Sequence, residues 1–299
     1  VEAYGVAGNR FTQLVGCRLP LQQAGMGGVG TPALARAVAD AGGLGMLSGV
    51  LGPVEPMDGA VGVNFLMPFV DRGLVEAAGD WARVVEFFYG PPDPALVDLV
   101  KGVAAWQVGS ADEARAALDA GCGLVVAQGV EAGGHVRGTV GLLPLLDEVL
   151  GAVGAEVPVV AAGGIGTAAS VKAALAAGAD AVRVGTRFVA SAESAAHPQY
   201  VEALTAASAH DTVLTTAFSQ GWPDAPHRVL ASCRPEGGGE GEGAVLPPLA
   251  GTPGSRADIS RMALYAGQSV GAVRGVQAAA EIVEELVGWL AQSRSATND

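Results

Sequence analysis

Val157-Pro-Val-Val-Ala-Ala-Gly-Gly-Ile165, an alanine-rich stretch at Ala168–Ala177, and Ala181-Val-Arg-Val-Gly-Thr-Arg187 together read as one strand-helix-strand unit. The two apolar runs have strand length, the alanine-rich stretch has helical period, and Gly178 closes it. Strands with so little polarity are covered on both faces, which is the situation of a parallel sheet flanked by helices.

The same unit recurs outward from this one. Strands are expected near Leu21–Ala24, Leu44–Leu47, Val61–Phe65, Val84–Phe87, Val103–Val108, Leu124–Gln128, Val157–Ala162 and Ala181–Val184. Helices are expected at Pro32–Ala41 and Ala111–Ala120 as well as Ala168–Ala177, with Thr31-Pro32 as N-cap and first-turn proline. Gly42, Gly121 and Gly178 follow these helices as left-handed C-caps. Eight such units predict an α/β fold, a (β/α)8 TIM barrel; the barrel typically takes about 250 residues, so some helices must be short.

The chain of 299 residues is half hydrophobic, with 45 glycines, which suits one large α/β domain with tight turns. A net charge of −13 and the lack of any basic run argue against nucleic acid. Cys17, Cys122 and Cys233 are widely spaced and fit neither a zinc site nor a redox pair, so we expect reduced thiols. Every apolar run is interrupted before it could span a bilayer and no secretory leader is evident; we expect no membrane association and a cytoplasmic protein. Ser191–Ala207 reads as helical, with His197 before Pro198 ending or bending it, and Ala209 to Gly267 as irregular. Glu236-Gly-Gly-Gly-Glu-Gly-Glu-Gly243 is low-complexity, and Val276–Ala291 reads as a closing helix before a frayed end from Ser293. These readings divide the chain into a barrel at 15–190 plus 268–292 and an appended substrate-side lobe or lid at 191–267.

Three glycine clusters carry chemistry. Gly25-Met-Gly-Gly-Val-Gly30 fits a dinucleotide fingerprint literally, but the second strand ends Met46-Leu47-Ser48-Gly49, without the acid that would hold the ribose. The alternatives are a loop that lets main-chain groups at Gly25, Met26 and Gly27 approach a flat ring, or a plain turn. Gly163 and Gly164, just after Ala162, and Gly185-Thr186 end the last two strands, where barrels often build a phosphate site; tight packing turns are the alternative. Ala127-Gln-Gly-Val-Glu-Ala-Gly-Gly-His-Val136 ends the sixth strand on the face where barrels do chemistry. His135 can donate or accept a proton there, or hydrogen-bond an anion, with Gly133 and Gly134 leaving room for a ligand. It could also be a loop histidine that only caps structure.

From Leu19 to Leu290 the chain resembles the FMN-dependent nitronate monooxygenases, formerly 2-nitropropane dioxygenases, and the related flavin-dependent enoyl-ACP reductases. The anchors are Gln23-Ala-Gly-Met-Gly-Gly28, Ala41-Gly-Gly-Leu-Gly45, Gly62-Val-Asn64, Gln128-Gly-Val-Glu-Ala-Gly-Gly-His135, Ala161-Ala-Gly-Gly-Ile165, Val184-Gly-Thr-Arg-Phe188 and Ala266-Gly-Gln268. The resemblance implies an FMN cofactor, with the Gly25–Gly27 loop and Asn64 near the flavin. Gln107 and Gln128 would face its ring or ribityl chain, Gly163, Gly164, Gly185 and Thr186 its phosphate, and His135 would be catalytic. Gly25 replaces a proline of many relatives and Gln107 a lysine or threonine of some.

The activity implied first is oxidation of nitronates or nitroalkanes by dioxygen to a carbonyl compound and nitrite. An NAD(P)H-dependent enoyl-thioester reductase is the alternative, disfavoured by the acidic chain since acyl carrier proteins are themselves acidic. A flavin-binding sensor or accessory protein is the third reading, against which His135 speaks. The expected partners are a small-molecule substrate and dioxygen, with a homodimer left open.

Overall fold

The computed structural model describes residues 9–234 and 243–290. The expectations for 236–242, for Ala291 and for the end from Ser293 lie outside the described residues. Eight parallel strands follow one another: β1 (Leu21–Gln23), β2 (Gly45–Ser48), β3 (Val61–Leu66), β4 (Val84–Phe88), β5 (Val103–Val108), β6 (Leu124–Gln128), β7 (Val159–Ala162) and β8 (Ala181–Val184). Hydrogen-bonded neighbours run β1-β8-β7-β6-β5-β4-β3-β2. The two ends of that row meet at a Gln22–Leu44 bridge, where Leu44 N–H donates to Leu21 O at 2.8 Å and Gln23 N–H to Leu44 O at 2.9 Å. The sheet is thereby a closed TIM barrel.

The helices form where their caps place them. Thr31 accepts from Leu34 N–H at 3.0 Å to start Pro32–Ala41, and Gly42 stops it at φ +108°. Gly121 and Gly178 do the same after Ala111–Asp119 and Ala168–Ala176, at φ +96° and +105°. Some helices are indeed short, Pro94–Val97 having four residues. A helix before the first strand, Arg10–Val15, was not expected. It buries Phe11 and Val15 against Leu44 and Met46, closing the lower end of the barrel.

Alternation along each strand divides the barrel wall. Val63, Val85, Trp106, Val125, Val159 and Val182 face the surrounding helices in the main core. Met46, Val84, Ala105, Val126, Val160 and Ala181 fill the lower interior. One step further up the strands, the interior turns polar, with Gln22, Asn64, Glu86, Gln107, Gln128 and Arg183 all buried.

The region after β8 differs from expectation. Of the stretch Ser191–Ala207 only Pro198–Ala206 is α-helical; a proline lacks the N–H a helix interior needs but fits its first turn, so Pro198 begins the helix. His197 does not end or bend a helix but caps this one, its Nδ1 accepting from Gln199 N–H at 3.2 Å. The segment read as irregular contains Thr212–Thr215 and His227–Leu230, an antiparallel pair. Gly134–His135 adds to it as a third strand. A second apolar cluster, including Tyr200, Leu204, Phe218 and Leu264, lies under this segment and joins the barrel through Val29 and Val189. The closing helix is Ala279–Val287, with Ile282, Val283 and Leu286 in the main core.

Candidate active site

Every residue expected at the cofactor or catalytic site lines one cavity of about 230 Å³ at the C-terminal ends of the barrel strands. Their spacing along the chain is wide; the barrel brings them together because each ends a strand or begins the loop after it.

The floor is the polar layer. Glu86, fully buried, accepts from Asn64 Nδ2 at 3.0 Å and from Gln22 Nε2 at 3.1 Å, and forms an ion pair with Arg183. Arg183 also donates to Gln22 Oε1 at 3.3 Å and to Gln107 Oε1. Gln128 donates through Nε2 to the His135 carbonyl at 3.0 Å, while its Oε1 is buried without a partner. Glu86 and Arg183 were missed in the sequence, although a charge inside Val84-Val-Glu-Phe-Phe88 or Ala181-Val-Arg-Val184 is a signal. A charged residue there has no water to face and needs a partner across the barrel.

One wall is the pair of glycine loops after β7 and β8. Gly163 and Gly164 have φ of +113° and +67°, a region that L side chains rarely enter. Gly185 differs, because its φ of −114° suits any residue. A Cβ there would meet Ala24 Cβ at an ordinary 3.4 Å, so the dihedral does not require this glycine. Thr186 accepts from Gly267 N–H at 3.0 Å, which ties the Ala266-Gly-Gln268 segment to the loop.

The other glycines separate into two kinds. A Cβ on Gly25 would lie 2.7 Å from Asn64 Cβ, and one on Gly133 2.4 Å from Gly267 N; both serve close packing between loops. Gly134 has φ +76° with nothing within 4 Å of an added Cβ, so it is required by its turn.

His135 follows that turn. Pairing with His227 across the small sheet holds its backbone, and its ring stacks on Trp222 with centroids 3.9 Å apart and planes at 20°. Tyr265 and His227 stand 5.7 and 5.2 Å away by ring centroid. Tyr89, just past β4 in a left-handed conformation at φ +71°, packs edge-on to both Trp222 and His135. Burial, aided by the neighbouring His227, pushes the His135 imidazole down to about 3, so it is neutral around pH 7. Its Nε2 is buried without a partner among the described residues. Fully buried His227 is spoken for: Nε2 accepts from Phe218 N–H at 3.2 Å, and Nδ1 donates to Ala225 O at 2.9 Å. Burial lowers its pKa too. Trp222 and His227 were not singled out from sequence because they lie in the segment read as irregular, and Tyr89 was not because it sits in the turn just past β4.

This neutrality has a cost in acid. The unfolded chain protonates His135 near its ordinary 6.5, whereas the folded protein resists until about 3. Below 6.5 the unfolded state therefore binds more protons, and this part of the stability falls as pH drops toward 3. In urea melts between neutral pH and about pH 4, wild type should lose up to about 1.4 kcal/mol per pH unit more than His135→Asn. Equal slopes would mean that the histidine is already protonated in the fold.

Comparison with known proteins identifies the family. The nitronate monooxygenase family model matches residues 9–60 and 54–234. A nitronate monooxygenase of Pseudomonas aeruginosa is 32% identical over 276 residues, covering 71% of this chain and 77% of that protein. Among solved structures, FabK from Thermotoga maritima superposes with a TM-score of 0.78 at 29% identity, covering 97% of this chain and 98% of that one. A nitroalkane oxidase from Streptomyces ansochromogenes gives a TM-score of 0.73 at 32% identity, covering 96% and 99%. With the family matched along most of its length and its barrel shared with these proteins, the chain belongs to the nitronate monooxygenase family of flavin-dependent oxidoreductases.

Proposed function

We propose that the protein holds FMN at the mouth of its barrel and oxidises nitronate anions with dioxygen to a carbonyl compound and nitrite. The observation that carries this reading is His135: a neutral imidazole with an unpartnered, buried Nε2 on the wall of the cavity.

The residues present fit the cofactor. Buried Gln128 Oε1 needs a donor, and the turns at Gly163 and Gly164 leave main-chain groups facing the cavity without side chains in the way. Gly163, Gly164, Gly185 and Thr186 would hold the phosphate, with Ala162 beneath them. Gln107, Gln128 and Asn64 would face the ring or ribityl chain, and the loop at Gly25, Met26 and Gly27 would close over it beside Gly133 and Gly134. Bound there, FMN would supply the redox chemistry as the acceptor of electrons.

The rest falls to this chain's own side chains. His135 Nε2–H donates to a nitro oxygen and orients the anion, and Trp222 fixes the ring's plane. Proximity of the anion favours a proton on the imidazole, so the hydrogen bond strengthens as the substrate binds. We assign 15–190 plus 268–292 to cofactor binding and 191–267 to the substrate side. In support, Tyr200, Val245, Leu246, Pro247 and Tyr265 line the cavity from that second segment. These mostly apolar groups keep bulk water from the reacting atoms. No described helix is long and apolar enough to cross a membrane.

The same histidine weighs against enoyl-thioester reduction. Delivering a proton to carbon calls for an imidazolium, and an imidazole pushed down to about 3 holds almost none at neutral pH. Mass analysis of the cofactor released on denaturation tests the cofactor: FMN is expected, and FAD, or no flavin after reconstitution, would overturn it. Nitrite formed from a nitronate in air tests the reaction.

A further inference from the structure

The polar floor holds a charge pair that the reaction above does not use. Arg183 and Glu86 face each other inside the barrel, on strands β8 and β4, with side chains 7% and 0% exposed. An ion pair this deep costs desolvation of both groups and is weak evidence for stability; hydrophobic residues of similar volume often replace such pairs without loss. Its placement is informative. Arg183 lines the cavity and Glu86 does not, so the positive end of the pair is the one presented to whatever occupies the site.

The pair also fixes which end of each neighbouring amide faces upward. Glu86 takes the NH2 groups of Asn64 and Gln22, which leaves Asn64 Oδ1 as an acceptor. Arg183 takes the oxygens of Gln22 and Gln107, which leaves Gln107 Nε2 as a donor. The floor therefore offers a cation, a donor at Gln107, and acceptors at Asn64 and Gln128. The polar edge of an isoalloxazine ring presents carbonyl oxygens, a ring nitrogen that accepts, and one N–H that donates. That edge gains negative charge when the ring is reduced.

We propose that Arg183 is the group that stabilises negative charge on the flavin ring, and that Glu86 is a positioning residue that orients Arg183, Asn64 and Gln107 and moderates the charge. This rests on the flavin reading of the cavity. Burial lowers the guanidinium to about 9, which still leaves it cationic at neutral pH. A charge preorganised in a dry site acts on the flavin more strongly than it would in water, because no solvent needs to reorganise around it.

Opposite signs make the test sharp. The FMN-loaded wild type, Glu86→Gln and the double variant Glu86→Gln/Arg183→Gln are compared by midpoint potential and by sulfite titration, since sulfite adds to flavin N5 and leaves a negative ring. Glu86→Gln removes the moderating carboxylate and should raise the potential and tighten sulfite binding. The double variant removes the cation nearer the ring and should lower the potential and weaken sulfite binding. Glu86→Gln should change sulfite affinity about tenfold, the size a unit charge within about 10 Å gives at the effective dielectric of a protein interior, and the double variant, which loses both signs, should shift it the other way by less, about threefold. For a two-electron couple, tenfold corresponds to about 30 mV. Shifts of the same sign in both variants, or none in either, overturn the proposal. If Glu86→Gln does not fold, the double variant decides alone: an unchanged or raised potential overturns the assignment. A wild type without flavin would sink the cofactor reading together with this proposal, whereas a flavin-loaded wild type with insensitive variants would sink only the proposal.

Discussion

Replacing His135 with asparagine is expected to leave FMN bound and to lower turnover of a preformed nitronate by about 100- to 1,000-fold, the usual loss when one preorganised donor to an anionic oxygen is removed. Cofactor retention follows because the glycine loops after β7 and β8 and the amides of the floor lie on other elements. The size follows from burial: Nε2 has no partner among the described residues, so its hydrogen-bonding capacity is free for the substrate. The lowered pKa of His135 favours one of two roles. A general base would make the loss largest for neutral nitroalkanes, whose α-proton must be removed, by about 100- to 10,000-fold. An imidazole pushed down to about 3 is too weak a base for that work. The fractional loss should instead be similar for both substrate forms, and neutral nitroalkanes should already be poor substrates of the wild type. Steady-state kinetics with each form check this. A selective loss on the neutral form would restore the base, and no loss would leave His135 as a structural residue of its turn.

Valine at Gly164 or Gly185 should weaken FMN binding by about 10- to 100-fold, since each main-chain hydrogen bond to a charged group contributes about 1.5–3 kcal/mol. The two positions report differently. At Gly164, φ of +67° makes a β-branched residue strained, and its Cβ would press on Glu131 Cβ at 3.2 Å, so folding suffers as well as binding. At Gly185 the backbone accepts a side chain and the nearest atom stands at 3.4 Å. Gly185→Val therefore isolates the blocked approach. Fluorescence titration of the apoprotein with FMN, beside its thermal melt, should show a large loss of affinity at Gly185 with little change in melting. Equal affinity in the folded variant would make the loop a packing turn.

The barrel was legible because its strands are continuous apolar runs punctuated by cap residues and glycines whose positive φ the chain cannot avoid. The N-terminal helix was not, because Arg10–Val15 is too short to show a period and earns its place by closing the barrel end with Phe11 and Val15. The strand-end glycines, amides and His135 were legible because a barrel gathers its strand ends on one face. What surrounds His135 was not. Trp222 and His227 come from short strands and turns between Thr212 and Leu230, where mixed hydroxyl, proline and glycine residues conceal the alternation. Glu86 and Arg183 were passed over for a related reason: their neighbours are so apolar that the segments read as strands first.

Anaerobic addition of substrate to the purified flavoprotein tests the central claim most directly. A preformed nitronate should bleach the flavin absorbance without NADH or NADPH, and admitting air should restore the oxidised spectrum and yield nitrite. Rapid bleaching by NADH or NADPH together with an unchanged spectrum under the nitronate would contradict it.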